Sequence, residues 1–267
     1  MSETPKLSII IPAYNEEKRI RKTLIKYHNY FSRKYGGNDF EMVIVTDGCK
    51  DKTPDIAREF SQRFQKIEHL NFARRLGKGG AIIHGIRSSN GKLIGFVDAD
   101  GSVSPQEFNV LIENMEDCDG AIGSRWCGSP RVVGLSFSRK FWSRVLNLAV
   151  KALFGLHFED TQCGAKVFKR EAIRRTIDEI QTSGFAFDVD LLYRLKRRGL
   201  RVKEVPIAYR HVNESSVEMK SDILGIALSV IRLRMLTSSL KRIGETIFKL
   251  SIFRHLMREY SDRFPQP

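Results

Sequence analysis

Short apolar runs alternate with segments of helical spacing along the first half of the chain. The apolar runs predict strands at 7–11, 42–45, 67–71 and 93–97. The segments that follow the first three runs repeat apolar side chains every three or four positions, and they predict helices at 16–30, 53–64 and 79–88. Strands that alternate with helices favour an α/β fold with a mainly parallel sheet flanked by helices. Such sheets bind ligands beyond the carboxyl ends of their strands.

The second half of the chain is less regular and ends in a basic segment. Its patterns predict strands at 120–124 and 166–168 and helices at 141–154 and 188–197. From Ser221 onward, apolar side chains follow helical spacing with lysines and arginines between them. We therefore expect a domain at 1–220 and a basic amphipathic helical tail at 221–267. The tail can cover the core of the domain, contact a second copy of the chain or bind an anionic membrane surface, and the pattern does not decide among these roles.

The charge of the chain narrows the class of partner. Lysine and arginine number 45 against 31 acidic residues, which gives a formal net charge of +14 and indicates an anionic partner. The sequence lacks helix-turn-helix, zinc-finger and aromatic RNA-binding patterns, so no nucleic-acid partner is expected. No apolar run approaches the roughly 20 residues of a membrane span, so any membrane contact is expected to be peripheral. Four scattered cysteines without metal-ligand spacing predict reduced thiols and no zinc site.

Acidic and polar residues follow three of the predicted strands. Asp98 and Asp100 come directly after the fourth strand, where carboxylate oxygens can hold Mg²⁺ or Mn²⁺ together with substrate phosphates. An isolated Asp-x-Asp triplet is more often a turn with two solvated acids. The segments 12–16 and 46–51 also end strands, however, and parallel strands bring such ends to one edge of the sheet. Three polar loops at one edge predict a nucleotide pocket.

Four segments resemble, in order and spacing, the GT-A-fold glycosyltransferases of family 2. They are IIIPAYNE at 9–16, VTDGCKDKT at 45–53, GKGGA at 77–81 and VDADG at 97–101. Within that family, the branch of dolichyl-phosphate glucosyltransferases and mannosyltransferases is the most similar, and the glucosyl type is the closer match. This similarity lies in GSR at 123–125, DTQCGAKVF at 160–168 and FDVDLLY at 187–193. The resemblance extends to about Arg210 and implies a GT-A, Rossmann-like α/β fold.

The resemblance implies transfer of a hexose from a nucleotide sugar to the phosphate of dolichol or another polyprenol, with inversion at the anomeric carbon. UDP-glucose is the first expected donor, GDP-mannose is the second, and Mg²⁺ or Mn²⁺ is the expected cofactor. The expected location is the cytoplasmic face of a membrane, in peripheral contact with it. Carried over by motif, the nucleotide site comprises Pro12, Tyr14, Glu16 and Asp47, the metal ligands are Asp98 and Asp100, and Lys78 meets the donor phosphates.

Arginines of the second half are the expected ligands of the acceptor phosphate. Arg125, Arg139 and Arg144 lie in or after the segment with which the family binds lipid phosphate. Arginine suits this role because its planar fork donates two hydrogen bonds to a phosphate at once.

Asp160 and Asp188 join Asp100 as the expected catalytic residues, because acids of their segments lie near the acceptor in the family. Each also has a structural interpretation: Asp188 as a helix N-cap and Asp160 as the holder of a turn. The alternative function is transfer to a sugar hydroxyl in glycan or polysaccharide synthesis. That reaction needs a catalytic base, which Asp188 or Asp160 would supply, whereas an acceptor phosphate is already anionic at neutral pH and does not strictly need one.

Overall fold

A seven-stranded sheet runs through the centre of the molecule in a computed structural model of the chain. The structure describes residues 4–36, 39–128, 132–134, 137–182, 184, 186–210 and 229–238, without the side chains of 137–140. In chain order the elements are β1 (Leu7–Ala13), α1 (Ile20–Tyr35), β2 (Phe40–Asp47), α2 (Thr53–Arg63), β3 (Ile67–Phe72), α3 (Gly77–Ser88), β4 (Leu93–Val97), α4 (Pro105–Glu113), β5 (Gly120–Ser124), β6 (Val132–Val133), α5 (Phe137–Phe154), β7 (Ala165–Lys169), α6 (Arg170–Ile177), α7 (Phe187–Arg197), β8 (Val202–Pro206) and β9 (Tyr209–Arg210).

The first four strands form the parallel part of the sheet, in the order β3-β2-β1-β4. Ile10 of β1 pairs with Val43 on one side and with Phe96 on the other. Alternate residues of β1 enter different cores: Ile9 and Ile11 pack with α1, α2 and α4, whereas Ile10 packs with α3, α6 and α7. Helices therefore cover both faces of the sheet, and the predicted α/β fold is confirmed.

Helix α1 begins four residues later than the spacing predicts. The carbonyl of Glu16 accepts hydrogen bonds from the backbone N–H groups of Arg19 and Ile20, both at 2.9 Å. The Arg19 side chain also folds back onto the Glu16 carboxylate. Residues 16–19 consequently form a turn that precedes the helix.

The second half of the sheet is mixed. Strand β7 is antiparallel to both β4 and β5 and lies between them, and β8 pairs with β5 in parallel. The predicted β5, β7, α5 and α7 are present, whereas α4, α6 and β8 were not predicted. Helix α6 is only eight residues long, although its buried Ala172, Ile173 and Ile177 follow helical spacing, and β8 is five residues long with two adjacent charged side chains, Lys203 and Glu204.

Part of the predicted tail packs on the domain. Residues 229–236 are helical, and Val230 and Leu233 are buried in the core beside α3, α6 and α7. These two residues cover part of the core, which is one of the roles that the sequence leaves open for the tail. The rest of the predicted tail, 221–228 and 239–267, lies outside the described residues. Across the described ranges, every helix is too short or too polar to cross a membrane.

Candidate active site

Neighbouring strand ends place predicted nucleotide and metal residues at one edge of the sheet. β1, β2 and β4 run parallel and side by side, with Tyr14 following β1, Asp47 ending β2 and Asp98 following β4. Helix α3 starts at the same edge. Lys78 in its first turn reaches the Asp98 carboxylate, with 2.9 Å between Nζ and Oδ1. The structure therefore brings these predicted residues together.

Asp47 stabilises the start of helix α3. Its two carboxylate oxygens accept hydrogen bonds from the backbone N–H groups of Leu76 and Gly77, the latter at 3.0 Å. A carboxylate at this end of a helix also interacts favourably with the helix dipole. Burial raises the pKa of Asp47, against the opposing effects of the Leu76 N–H and the Arg75 charge. Asp47, expected to hold the nucleotide base, is thus bonded to the loop that leads into α3.

Arg75 and Tyr14 form a stacked pair beside this loop. The guanidinium carbon of Arg75 lies 3.7 Å from the centre of the Tyr14 ring, which is a cation–π contact. Gly48 permits the close approach, because its φ is 64° and a Cβ there would lie 2.8 Å from the Arg75 backbone nitrogen. Pro12 lies half-buried in β1. The stacked pair offers a flat surface of the kind on which bases stack.

Acidic side chains concentrate negative charge at this edge. Burial raises the pKa of Glu16 to about 7, although Arg19 opposes the shift, and the charges of Asp100 and Asp98 add to it. Burial also raises the pKa of Asp98, which the Lys78 charge opposes and the Asp100 charge reinforces. An added cation would stabilise the charged forms of these carboxyl groups.

The carboxylates of Asp98 and Asp100 suit a divalent cation. Asp100 accepts hydrogen bonds from the backbone N–H and the hydroxyl of Ser102, at 2.9 and 2.8 Å, which orient it and leave further lone pairs. Mg²⁺ is commonly bound through one or two carboxylates together with substrate phosphates and waters. In the part of the chain that the structure describes, no group of three His, Cys, Asp or Glu side chains is placed to hold a metal. Asp98 and Asp100 therefore fit a metal that takes its other ligands from a bound diphosphate.

Asp188 is a buried member of the same charge cluster. Ala186 is the N-cap of α7 and Asp188 lies in the first turn, so the interpretation of Asp188 as an N-cap is wrong. Its Oδ1 lies 2.6 Å from the Nζ of Lys166, and its Oδ2 lies 3.9 Å from the Nζ of Lys78. Asp188 is therefore connected to Asp98 through Lys78.

Arg125 and Asp160 form a buried ion pair at the end of β5. The Nε and Nη2 of Arg125 donate to the two Asp160 oxygens at 2.6 and 2.9 Å, and the Arg125 backbone N–H adds a bond at 3.0 Å. Burial favours the neutral form of Asp160, but the Arg125 charge and hydrogen bonds outweigh it and hold the pKa of this carboxyl below its usual range. Asp160 also accepts a hydrogen bond from the Gln162 backbone N–H, so it does hold a turn.

The other two expected phosphate ligands belong to α5. Arg144 is exposed, and its guanidinium lies 5.6 Å from the ring of Trp126, while that of Arg125 lies 5.7 Å from the same ring. Trp126 therefore links Arg144 to the buried ion pair. The side chain of Arg139 lies outside the described residues.

A comparison with known families identifies the fold and the enzyme class. Residues 8–177 match the sequence family described as Glycosyl transferase family 2. The match covers more than half of the chain and includes the strand ends that carry Tyr14, Asp47 and Asp98. The chain belongs to glycosyl transferase family 2.

Relatives of this family 2 glycosyltransferase are similar along most of its length. A dolichyl-phosphate beta-glucosyltransferase of Trichomonas vaginalis is 34% identical over 241 residues, which cover 85% of this chain and 72% of that protein. The dolichyl-phosphate beta-glucosyltransferase of Homo sapiens is 30% identical over 267 residues, with coverage of 89% and 78%. Glycosyltransferase AglD of Haloferax volcanii is 30% identical over 228 residues, and the chain spans 36% of its length. The expected family and enzyme class are confirmed.

Solved structures share the fold of this glycosyltransferase. Glucosyl-3-phosphoglycerate synthase from Mycobacterium tuberculosis in complex with UDP superposes with a TM-score of 0.65 at 18% identity, covering 88% of this chain and 82% of that chain. Its complex with Mn²⁺, UDP and glucosyl-3-phosphoglycerate gives a TM-score of 0.64 at 20% identity, with coverage of 86% and 79%. At this identity the likeness establishes the GT-A type of fold.

Two charged residues of the glycosyltransferase site were missed in the sequence. Lys166 is fully buried in β7, and Glu204 in β8 accepts hydrogen bonds from the backbone N–H groups of Glu159 and Asp160, both at 2.7 Å. A lysine inside an apolar strand was a usable signal, because a buried charge requires a partner. Glu204 gave no comparable signal, since it lies beside Lys203 in a strand of mixed polarity, where a charged residue is not unusual.

Proposed function

We propose that the protein transfers glucose from UDP-glucose to the phosphate of dolichol or a similar polyprenol, with inversion at the anomeric carbon and with Mg²⁺ or Mn²⁺. The dolichyl-phosphate beta-glucosyltransferases among its relatives support the sugar and the acceptor. Glucosyl-3-phosphoglycerate synthase, which has the same fold and is known in complex with Mn²⁺ and UDP-glucose, supports the donor and the metal.

The contacts of the two candidate bases, Asp160 and Asp188, support a phosphate acceptor over a hydroxyl acceptor. A hydroxyl acceptor loses a proton during transfer, and a general base takes up that proton. Both oxygens of Asp160 are bonded to Arg125, and Asp188 is buried against Lys166. Both carboxylates therefore already pair with a cationic side chain of the protein. A phosphate acceptor attacks as an anion without a base, and this arrangement supports it.

Lys78, Asp98 and Asp100 form the proposed diphosphate site. The two aspartates would hold the divalent cation, which when bound stabilises the charge that develops on the leaving diphosphate. Lys78 would donate to a donor phosphate oxygen, and the stacked Arg75 and Tyr14 would hold the base. Positioning and charge stabilisation then supply most of the catalysis.

Unpartnered donors near Arg125 support an anionic acceptor. The buried Nε1 of Trp126 and Nε2 of Gln162 have no hydrogen-bond partner among the described residues. Trp126 follows Arg125 in the chain, and Gln162 lies in the turn that Asp160 holds. Buried N–H groups are seldom left unpaired in a native structure, and phosphate oxygens would satisfy them.

A membrane surface is the proposed location of the reaction. Helix α5 exposes Phe141, Trp142, Val145 and Leu148 by 52, 44, 41 and 68%. Apolar side chains on an exposed helix face can insert at a bilayer interface, and the net charge of +14 favours anionic lipid. Because the cytoplasmic leaflet carries the negative surface potential, we assign the enzyme to that face.

Transfer of radiolabelled sugar tests the proposal. The protein is incubated with dolichyl phosphate, Mg²⁺ or Mn²⁺, and labelled UDP-glucose or, in parallel, GDP-mannose. We expect labelled lipid from UDP-glucose and its loss in Asp100→Ala, whereas Asp117→Ala, which changes an exposed acid between α4 and β5, retains activity. If GDP-mannose is the donor that gives a lipid product and UDP-glucose gives none, the transferred sugar is mannose and not glucose. Donor binding without a lipid product from either donor would contradict the proposal and favour a sugar hydroxyl as acceptor.

A further inference from the structure

Lys166 is a charged residue inside the central sheet. It lies on β7, between β4 and β5, and pairs with Phe96 of β4 in the antiparallel register. Its side chain is fully buried. Lysine is almost never fully buried unless its charge is paired, so its contacts indicate why it is there.

The Lys166 ammonium is held by three groups. Its Nζ donates to the Oδ1 of Asp188 and to the carbonyl oxygen of Cys163, both at 2.6 Å. It also lies 5.5 Å from the centre of the Phe96 ring, a cation–π contact. Two of the three ammonium donors are therefore hydrogen-bonded and the charge lies near an aromatic ring, so Lys166 connects α7 and the loop before β7 to the sheet.

The bond to Asp188 leads to one oxygen of Asp98. The Oδ2 of Asp188 lies 3.9 Å from the Nζ of Lys78, and that Nζ lies 2.9 Å from the Oδ1 of Asp98. Without the Asp188 carboxylate, the Lys78 ammonium would lose one of the two negative charges that lie near it.

The bond to Cys163 leads to the other oxygen of Asp98. Cys163 precedes Gly164, and a Cβ at position 164 would lie only 1.8 Å from the Oδ2 of Asp98. The backbone at Gly164 therefore packs closely against this oxygen. A small shift of the loop would move the carboxylate.

We propose that Lys166 is the positioning residue that fixes the Asp98 carboxylate for the metal–diphosphate complex. It acts on one oxygen through Asp188 and Lys78, and on the other through Cys163 and the backbone of the following glycine. The inference rests on the proposed function, in which Asp98 binds the donor. Lys166 is fully buried and acts through these neighbours.

Calorimetric binding of UDP with Mg²⁺ tests the inference in Lys166→Met, Asp188→Asn, the double variant and Lys169→Met. Lys169 is the matched control, because it lies on the same strand with an exposed side chain. We expect Lys166→Met to weaken binding by about 10–100-fold, the range for residues that orient metal ligands, and Lys169→Met to bind as the wild type does. Lys166→Met already removes both connections to Asp98, so the added Asp188→Asn should weaken binding no further, and the double variant should bind as Lys166→Met does. In assays of Lys166→Met, KM for the donor should rise by a larger factor than kcat falls.

Thermal unfolding of the same proteins separates positioning from stability. The double variant removes both buried charges, so we expect its transition temperature to stay near that of the wild type. Wild-type affinity in Lys166→Met, or losses that multiply in the double variant, would overturn the inference. If the double variant no longer unfolds cooperatively, Lys166 and Asp188 are needed for folding, and the inference is overturned as well. If the wild-type protein itself binds no UDP, the proposed function fails instead.

Discussion

Asp98 and Asp160 are both carboxylates of the site, and their surroundings give them opposite roles. Burial raises the pKa of Asp98, and the neighbouring Asp100 charge reinforces the shift. The side chain of Asp160 is 2% exposed against 39% for Asp98, but its bonds to Arg125 hold its pKa below the usual range. Lys78 lies 2.9 Å from Asp98 but does not outweigh burial and the Asp100 charge, so an added cation would still stabilise the charged form of Asp98, whereas Arg125 already does so at Asp160. Asp98 is therefore suited to ligand binding and Asp160 to holding the site together.

Asp160→Asn should destabilise the protein strongly, because it leaves the buried Arg125 charge without its carboxylate. Removing one partner of a buried ion pair typically costs about 3–5 kcal/mol. We expect a loss of that size in the free energy of unfolding at pH 7, measured with urea. Glu159→Gln is the matched control, since Glu159 forms an exposed pair with Lys151 at 2.6 Å and should cost less than about 1 kcal/mol.

The cost of Asp160→Asn should also depend on pH. A carboxyl whose pKa is lower in the folded than in the unfolded state contributes stability above its unfolded pKa of about 3.9, and that contribution is lost as the pH falls through the folded value. The difference between wild type and variant should thus be constant above about pH 5 and shrink below about pH 4. A difference that grows on acidification would contradict the ion pair.

Asp47 joins the end of β2 to the start of α3. Asp47→Ala removes both hydrogen bonds to the Leu76 and Gly77 N–H groups, and it should lower the free energy of unfolding by about 1–2 kcal/mol. The first turn of α3 also carries Lys78, so KM for UDP-glucose should rise. Urea unfolding and donor kinetics measure the two effects.

The control for Asp47→Ala is Asp55→Ala. Asp55 also lies in the first turn of a helix, α2, but its side chain is exposed and pairs with Arg58 at 3.1 Å. It should change the free energy of unfolding by no more than about 0.5 kcal/mol and leave KM unchanged. Equal effects of the two substitutions would show that Asp47 has no special part in the start of α3.

The elements that the sequence predicts are those whose apolar pattern is complete within one segment. β1 and β2 are nearly continuous apolar runs because both of their faces are buried. β8 has a weak pattern of its own and depends on its pairing with β5, whereas α6 is a short helix whose buried residues do lie on one face, a local signal that was missed. For α4 a local signal existed: Ser104 accepts a hydrogen bond from the Glu107 N–H, and Pro105 opens the helix.

For the site, motifs predict which residues gather at the edge of the sheet but not how they are bonded. Tyr14, Asp98 and Lys78 lie together because parallel strand ends meet there. The bonds of Asp47 to the α3 loop and of Asp188 to Lys166 arise from tertiary packing across several elements. Such bonds have no local sequence pattern: the position of Lys166 inside an apolar strand indicated a buried charge, but nothing local indicated Asp188 as its partner.

For the whole molecule, the exposed face of α5 should contribute to membrane binding. Leu148→Glu places an acid on this face, and binding to anionic vesicles should fall by about tenfold or more, since an apolar side chain contributes roughly 1.5–3 kcal/mol when fully inserted. Co-sedimentation measures the binding. Ile25→Glu is the control, because Ile25 is 45% exposed on α1, which packs on the opposite face of the sheet. Equal losses from both faces would reflect net charge alone.

Truncation of the tail gives a second test of membrane binding. The burial of Val230 and Leu233 determines which truncation is informative. Both are buried in the core, so a chain that ends at residue 220 loses them and should be destabilised by about 2–5 kcal/mol, as for other losses of large core side chains. A chain that ends at residue 238 keeps them. We expect this longer chain to unfold in urea like the full chain but to bind anionic vesicles more weakly, because it lacks the basic amphipathic sequence at 239–267. Vesicle binding equal to that of the full chain would show that the sequence after residue 238 does not contribute to membrane contact.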